Sequence, residues 1–171
     1  MDRLWSPWRL TYVTGAGENR ACVFCEARSA AGPESLLLHQ GRGCFVVLNL
    51  FPYNSGHLMV VPNRHIASLS ESTPDERCEM MDLTRMAEQA LTELYRPQGL
   101  NVGMNLGRAA GAGIVDHIHI HVVPRWNGDT NFMTVVGETR VLPEEIAQTA
   151  ARLREVFRRI ASTPASVPAS S

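Results

Sequence analysis

The sequence predicts an α+β fold, a mostly antiparallel sheet with two main helices. Three observations carry this. Short β-branched runs crowd the middle of the chain, two stretches carry apolar residues at helical spacing, and His117 to Val123 alternates sharply between polar and apolar side chains. A strand-dominated middle with two segregated helices belongs to the α+β layout rather than to a regular alternation of strand and helix.

Taken in order, residues 1–20 carry Trp5 and Trp8 followed by a Gly-rich stretch, and read as an N-terminal arm packed by its aromatic rings. Cys44 to Leu48 and His57 to Val61 are apolar runs separated by Pro52, Asn54 and Gly56, the pattern of two strands joined by a turn, with Pro62 closing the second. Ser72-Thr-Pro-Asp-Glu76 offers a capping hydroxyl, a proline suited to the first turn and two acidic residues. This predicts a helix running to about Tyr95, its inner face carrying Leu83, Met86, Ala90 and Leu94. Leu100 to Leu106 reads as a strand, Gly107 to Gly113 as a flexible loop and His117 to Val123 as a strand. Phe132 to Val136 and Thr139 to Leu142 read as short strands around Gly137. Pro143-Glu-Glu145 opens a second helix with an apolar stripe of Ile146, Ala150, Leu153, Phe157 and Ile160. The folded domain thus spans 21–161, and residues 162–171, built from Ser, Thr, Pro, Ala and Val, read as a disordered tail.

Composition narrows the function. At 171 residues with 44% hydrophobic content the chain fits one domain with a buried core. A formal net charge of −1 gives no global attraction to nucleic acid or an anionic membrane, so an anionic ligand must be bound locally. All 16 basic residues are Arg, which excludes lysine chemistry. No stretch reaches the roughly 18 to 20 apolar residues of a membrane helix, and the first twenty residues lack a signal-peptide pattern; the expectation is a cytoplasmic protein. Four cysteines, Cys22, Cys25, Cys44 and Cys78, are too unevenly placed for a disulfide framework. Cys44 and Cys78 read as ordinary buried thiols and His39 as a surface residue.

The candidate chemistry lies in His117-Ile-His119-Ile-His121. Successive side chains of a strand alternate faces, so these histidines share one face at spacings of roughly 6.5 to 7 Å while Ile118, Ile120 and Val122 enter the core. Three imidazoles in strict alternation point either to a metal site or to nucleophilic and acid/base work on a phosphate. The preceding Gly-rich loop lets backbone amides approach an anion, and Gly56-His57 supplies a fourth imidazole. Arg108 and Arg125 are candidate contacts for a polyphosphate. Trp126 is a candidate for stacking on a base or for a subunit contact.

His117-Ile-His-Ile-His-Val-Val123, with the strand pair from Asn49 to Pro62, resembles the histidine triad (HIT) superfamily of nucleotidyl hydrolases and transferases. The likeness runs from about residue 20 to about 142. Trp5 to Arg9 and Pro124 to Phe132 are similar to the bacterial branch related to diadenosine tetraphosphate phosphorylases. The resemblance implies a HIT-like fold and a homodimer. It implies that His119 attacks the α-phosphate of a purine nucleotide or dinucleoside polyphosphate, and that water or inorganic phosphate releases the nucleotide. His121 and His57 would contact phosphoryl oxygens together with amides of the loop containing Gly111, Gly113 and Ile114. Asn49 matches a ribose-contacting position and Asn105 a position near the phosphates. Better-known branches carry Gln then Ser or Thr where Gly113 and Ile114 stand here, and some phosphorylase relatives carry Ser at Gly113, so the acceptor stays open.

Cys22-Val-Phe-Cys25 has the spacing of zinc ligands or of a redox pair. In one branch of the family such a pair joins two histidines, which the resemblance places at His65 and His117. Four protein ligands close a tetrahedral shell, so the expected zinc is structural, and no organic cofactor is expected. Two other readings stand beside the enzyme. One is a metal-dependent hydrolase whose three triad histidines ligate a catalytic zinc. The other is a nucleotide-binding regulatory module with little catalysis.

Overall fold

The computed structural model of the chain describes residues 21–32, 34–129 and 144–162. The N-terminal arm, the strands expected at 132–136 and 139–142, and the tail from residue 163 lie outside the described residues. Ser162 itself still belongs to the last helix.

Five antiparallel strands form one sheet in the order β1-β2-β3-β5-β4: β1 Leu37–Gln40, β2 Cys44–Leu48, β3 Leu58–Pro62, β4 Gly99–Met104 and β5 Ile120–Arg125. Helices α1 Val23–Ser29, α2 Pro74–Tyr95 and α3 Ile146–Ser162 complete the described fold. Side-chain alternation divides the sheet into two faces. Cys44, Val46, Leu48, Leu58, Val60, Ile120 and Val122 pack with Met80, Leu83, Ala87 and Leu91 of α2 and Leu153 and Phe157 of α3. On the other face Phe45, Val47, Met59 and Val61 pack against Phe24 of α1. The pairing of Val47 with Met59, Met59 with His121 and His121 with Gly103 puts His121 in the row facing α1.

β2 matches its predicted span residue for residue, and β3 and β4 lie within one or two residues of theirs. The expected strand from His117 to Val123 forms its ladder only from Ile120 onward. Two competing bonds explain the late start: the Ile118 amide donates to the Ile66 carbonyl, and the His117 carbonyl accepts from His119 Nδ1 at 2.9 Å. The alternation persists through this non-ladder stretch, since Ile118 joins the same core as Ile120 and Val122. β1 and α1 were not expected. β1 is four residues long with a register irregularity between Leu37 and His39, and α1 has two turns and no side-chain cap, so neither shows a clear period. His39 is half-buried, not a surface residue, and stacks on Phe157 with ring centroids 5.9 Å apart. Cys78 is exposed rather than buried. Cys44 is fully buried, its thiol 3.6 Å from the Glu76 carbonyl, and burial first of all pushes its pKa up to about 12.

The expected start of α2 is realised as a capping box. Thr73 Oγ1 accepts from the Glu76 amide, the Glu76 carboxylate accepts from the Thr73 amide, and Pro74 occupies the first turn. The same carboxylate receives Nε and Nη2 of Arg64 at 2.7 and 2.6 Å, which fastens the segment after β3 to the helix start. Glu79, one turn on, accepts from the amides of Arg42 and Gly43 and closes the β1–β2 turn. A Cβ at Gly41 would lie 2.9 Å from the Cys44 carbonyl oxygen and 2.5 Å from Glu79, so this turn requires glycine. The second main helix begins at Ile146, three residues past Pro143; Glu144 stands before it and accepts from Tyr95, Thr149 and Arg152.

The Arg64 hydrogen bond, followed by backbone donation from Thr73, holds the Glu76 carboxyl down at about 2 against an ordinary value of 4.5. A depressed acid stabilises the fold above its unfolded-state value, and that contribution fades as pH drops from about 4.5 toward about 2. Glu76→Gln is expected to cost about 1–2 kcal/mol in urea unfolding at neutral pH. The gap to the parent protein should narrow on acidification, and a gap that stayed constant down to pH 3 would contradict this role.

Candidate active site

The residues before and at the start of β5 place their imidazoles in a row across the α1 face. His117 is fully buried; its Nε2–H donates to the Pro62 carbonyl at 2.8 Å, leaving Nδ1 as the acceptor nitrogen. That nitrogen lies 3.3 Å from Cys22 Sγ and 3.8 Å from Cys25 Sγ, while Cys25 Sγ lies 3.5 Å from His65 Nδ1. One ligand atom from each of Cys22, Cys25, His65 and His117 falls within 4.8 Å of the others. Bonds of about 2.0–2.3 Å to a tetrahedral zinc place donor atoms roughly 3.3–3.8 Å apart, so the four fit such an ion with little movement. Both cysteines are free thiols, and the buried His117 lone pair faces them.

His119 is 5% exposed. Its Nδ1–H donates to the His117 carbonyl, so a neutral ring carries its lone pair on Nε2. Burial lowers its pKa below the usual 6.5, against a weaker raising effect of that backbone bond, which keeps the ring uncharged. The Phe24 ring lies 4.8 Å from His119 and 5.5 Å from His117, so one α1 side chain wedges against both. His121 meets His119 edge to face at 4.6 Å, and its Nδ1 is 3.0 Å from Nε2 of the fully buried His57. The turn before His57 depends on Gly56, whose φ of +79° and 3.0 Å approach to Leu91 and Tyr95 exclude a side chain.

His119 and His121 open onto a cavity of about 330 Å³, large enough for a nucleoside. Of the residues expected to bind nucleotide, Asn49, Gly111, Gly113, Ile114 and His121 line it, and His57 stands directly behind His121. Asn105 sits just past β4 outside this lining. The Arg125 guanidinium donates to Asp129 at 2.6 and 2.9 Å and to Asn101 at 2.8 Å, and Arg125 is not among the residues lining this cavity. Sequence reasoning missed the apolar walls, Val23, Phe24 and Ala27 from α1, Leu36 just before β1, Val47 and Met59 from the sheet, and Tyr53 from the β2–β3 turn. A signal existed for Phe24, since the spacer of a CxxC pair is carried to the site with its cysteines. The other walls meet only through sheet pairing.

Comparison with known proteins agrees with this geometry. Residues 32–128 match the HIT domain. Over 167 residues the chain is 40% identical to the AP-4-A phosphorylase of Mycobacterium tuberculosis, covering 93% of this chain and 86% of that protein. A Zn-bound histidine triad family protein from Mycobacterium smegmatis superposes with a TM-score of 0.66 at 26% identity, covering 83% of this chain and 96% of the other. A hypothetical histidine triad nucleotide-binding protein from Sulfolobus tokodaii shares the fold, with a TM-score of 0.65 at 23% identity over 81% and 93% of the two chains. With its histidine row, its cavity and these matches taken together, the chain belongs to the HIT family.

Proposed function

We propose that His119 Nε2 attacks the α-phosphorus of a purine nucleotide, with diadenosine tetraphosphate or a related dinucleoside polyphosphate as the favoured substrate. The chain is a HIT-family nucleotide hydrolase or phosphorylase. The observation that carries the finer reading is the Nδ1–H bond from His119 to the His117 carbonyl, which directs the ring's lone pair away from the backbone. As the N–P bond forms and the P–O bond to the leaving polyphosphate breaks, this carbonyl stabilises the positive charge growing on the ring. Attack on diadenosine tetraphosphate expels ATP and leaves adenylyl-His119. Inorganic phosphate then gives ADP, or water gives AMP. His121, backed by His57, and the amides around Gly111, Gly113 and Ile114 receive the phosphoryl oxygens, with Asn49 and Asn105 as further nucleotide contacts. The likeness to a mycobacterial AP-4-A phosphorylase supports phosphate as the acceptor.

Cys22, Cys25, His65 and His117 would hold a zinc ion, which supplies a cross-link between α1, the segment after β3 and the segment before β5. A closed shell of four protein ligands leaves it no role on substrate. The alternative of a catalytic zinc on all three triad histidines is disfavoured by the same distances, because His117 turns toward the thiols and His119 Nδ1 is held by a carbonyl. The reading includes no organic cofactor, a cytoplasmic location, and neither nucleic acid nor membrane as partner. No helix among the described residues is long and apolar enough to cross a membrane. A homodimer is proposed through β4, an edge strand with Val102 52% exposed and Leu106, just past its end, 45% exposed.

Incubation with labelled diadenosine tetraphosphate and acid-free quenching is expected to trap an adduct on His119, and His119→Ala to lower turnover by on the order of 10⁴ or more. Turnover surviving that substitution would remove the nucleophile from the mechanism. Adding inorganic phosphate is expected to change the products from AMP plus ATP to ADP plus ATP; products indifferent to phosphate would mark a hydrolase. Metal analysis of the purified protein is expected to find one zinc per chain with thiolate ligation by X-ray absorption, lost in Cys25→Ala. Zinc bound only through nitrogen and oxygen would point back to the catalytic-metal alternative.

A further inference from the structure

We propose that Asn49 is a positioning residue which, with the backbone amide of Tyr53, dictates the proton position on His57 and through it compels His121 to present an N–H to the transferring phosphoryl group. This rests on the reading that His121 faces that group. The argument starts from groups whose hydrogen-bond sense is fixed. A backbone N–H only donates, and the Tyr53 amide lies 3.1 Å from His57 Nδ1, so this nitrogen accepts. The Asn49 amide adds a second donor: Oδ1 already accepts from the Phe51 amide at 2.9 Å, which orients Nδ2 toward His57 Nδ1 at 3.2 Å.

A proton on Nδ1 would therefore confront two donors inside a fully buried site, so neutral His57 carries its proton on Nε2. That Nε2–H points at His121 Nδ1, 3.0 Å away, which must accept, and neutral His121 in turn carries its proton on Nε2. The donors run in one direction, from backbone amide to His57, from His57 to His121, and from His121 toward the cavity. His119 is set in the opposite sense, by a carbonyl rather than an amide. In their neutral forms, two histidines separated by one residue thus offer a lone pair and an N–H. The β2–β3 connection that holds Asn49 and Tyr53 is itself fixed by backbone bonds from the Asn49 amide to the His57 carbonyl and from the His57 amide to the Asn54 carbonyl.

The test reads imidazole tautomers by side-chain nitrogen NMR in the full-length protein as purified, without substrate, and sets them beside steady-state kinetics of two variants. The parent protein is expected to show Nε2–H tautomers at both His57 and His121. In Asn49→Asp a carboxylate accepts where an amide donated and competes with the Tyr53 amide for His57 Nδ1; a measurable share of the His57 proton is expected to move to Nδ1, with the His121 proton following onto its own Nδ1 in that share. kcat should then fall on the order of a hundredfold with a smaller change in KM. Asn49→Ala leaves the Tyr53 amide in place; it should keep both tautomers and lower kcat by less than about tenfold. A residue serving only as a ribose contact predicts the reverse order, since aspartate also accepts from ribose hydroxyls and alanine does not. An Nδ1–H tautomer at His57 in the parent protein, or an Asn49→Asp variant within about twofold of the parent kcat, would overturn the proposal. If that variant fails to fold, the parent spectrum decides alone. Tautomers as expected with no trapped adduct would instead sink the nucleophile reading and leave the hydrogen-bond relay standing.

Discussion

The site depends on the aliphatic side of the 118–122 segment being held in the core. Ile118, Ile120 and Val122 are packed beneath α2 and α3, each worth roughly 1.5–3 kcal/mol of burial. Because side chains in extended backbone alternate, that anchorage fixes where the histidines go without any need for polar contacts to guide them. A slip of one residue would bury three imidazoles against the helices and expose three aliphatics to the cavity, a change far beyond what a domain of marginal stability tolerates. Hydrophobic packing on one face thus sets the register of the histidines on the other.

That dependence explains which parts were legible in the sequence. The alternation of His117 to His121, the β2 run and the cap of α2 are each written within a handful of consecutive residues, and the structure realises them. β1 and α1 are too short to display a period, and their positions are settled by what they pack against, Phe157 for His39 and the sheet for Phe24. The ladder's start at Ile120 rather than His117 follows from a carbonyl claimed by His119 and an amide claimed by Ile66, neither of which leaves a trace in residue types. The meeting of Cys22 and Cys25 with His65 and His117 across some 90 residues was reachable only through family resemblance. The engagement of Arg125 by Asp129 required the fold.

The electrostatic character of the site is unusual for one that handles anions. Among the described residues lining the cavity there is no arginine, and burial lowers the pKa of His119. Under the proposed function, neutral N–H groups and backbone amides are the described donors for the phosphoryl charge, in a cavity walled mainly by apolar side chains, where each such dipole acts through a low dielectric.

α1 gives the site a particular vulnerability. Seven residues are too few to hold a helix by propensity alone, so its conformation is borrowed from its neighbours. Yet two of its first-turn side chains, Cys25 and Phe24, reach the thiol–imidazole cluster on one side and the His119 ring on the other. The shortest α-helix among the described residues is in effect a hinge pin: its loosening would disturb the ligand cluster, the cavity wall and the His119 ring in a single motion, while the sheet and its helical layer stay whole.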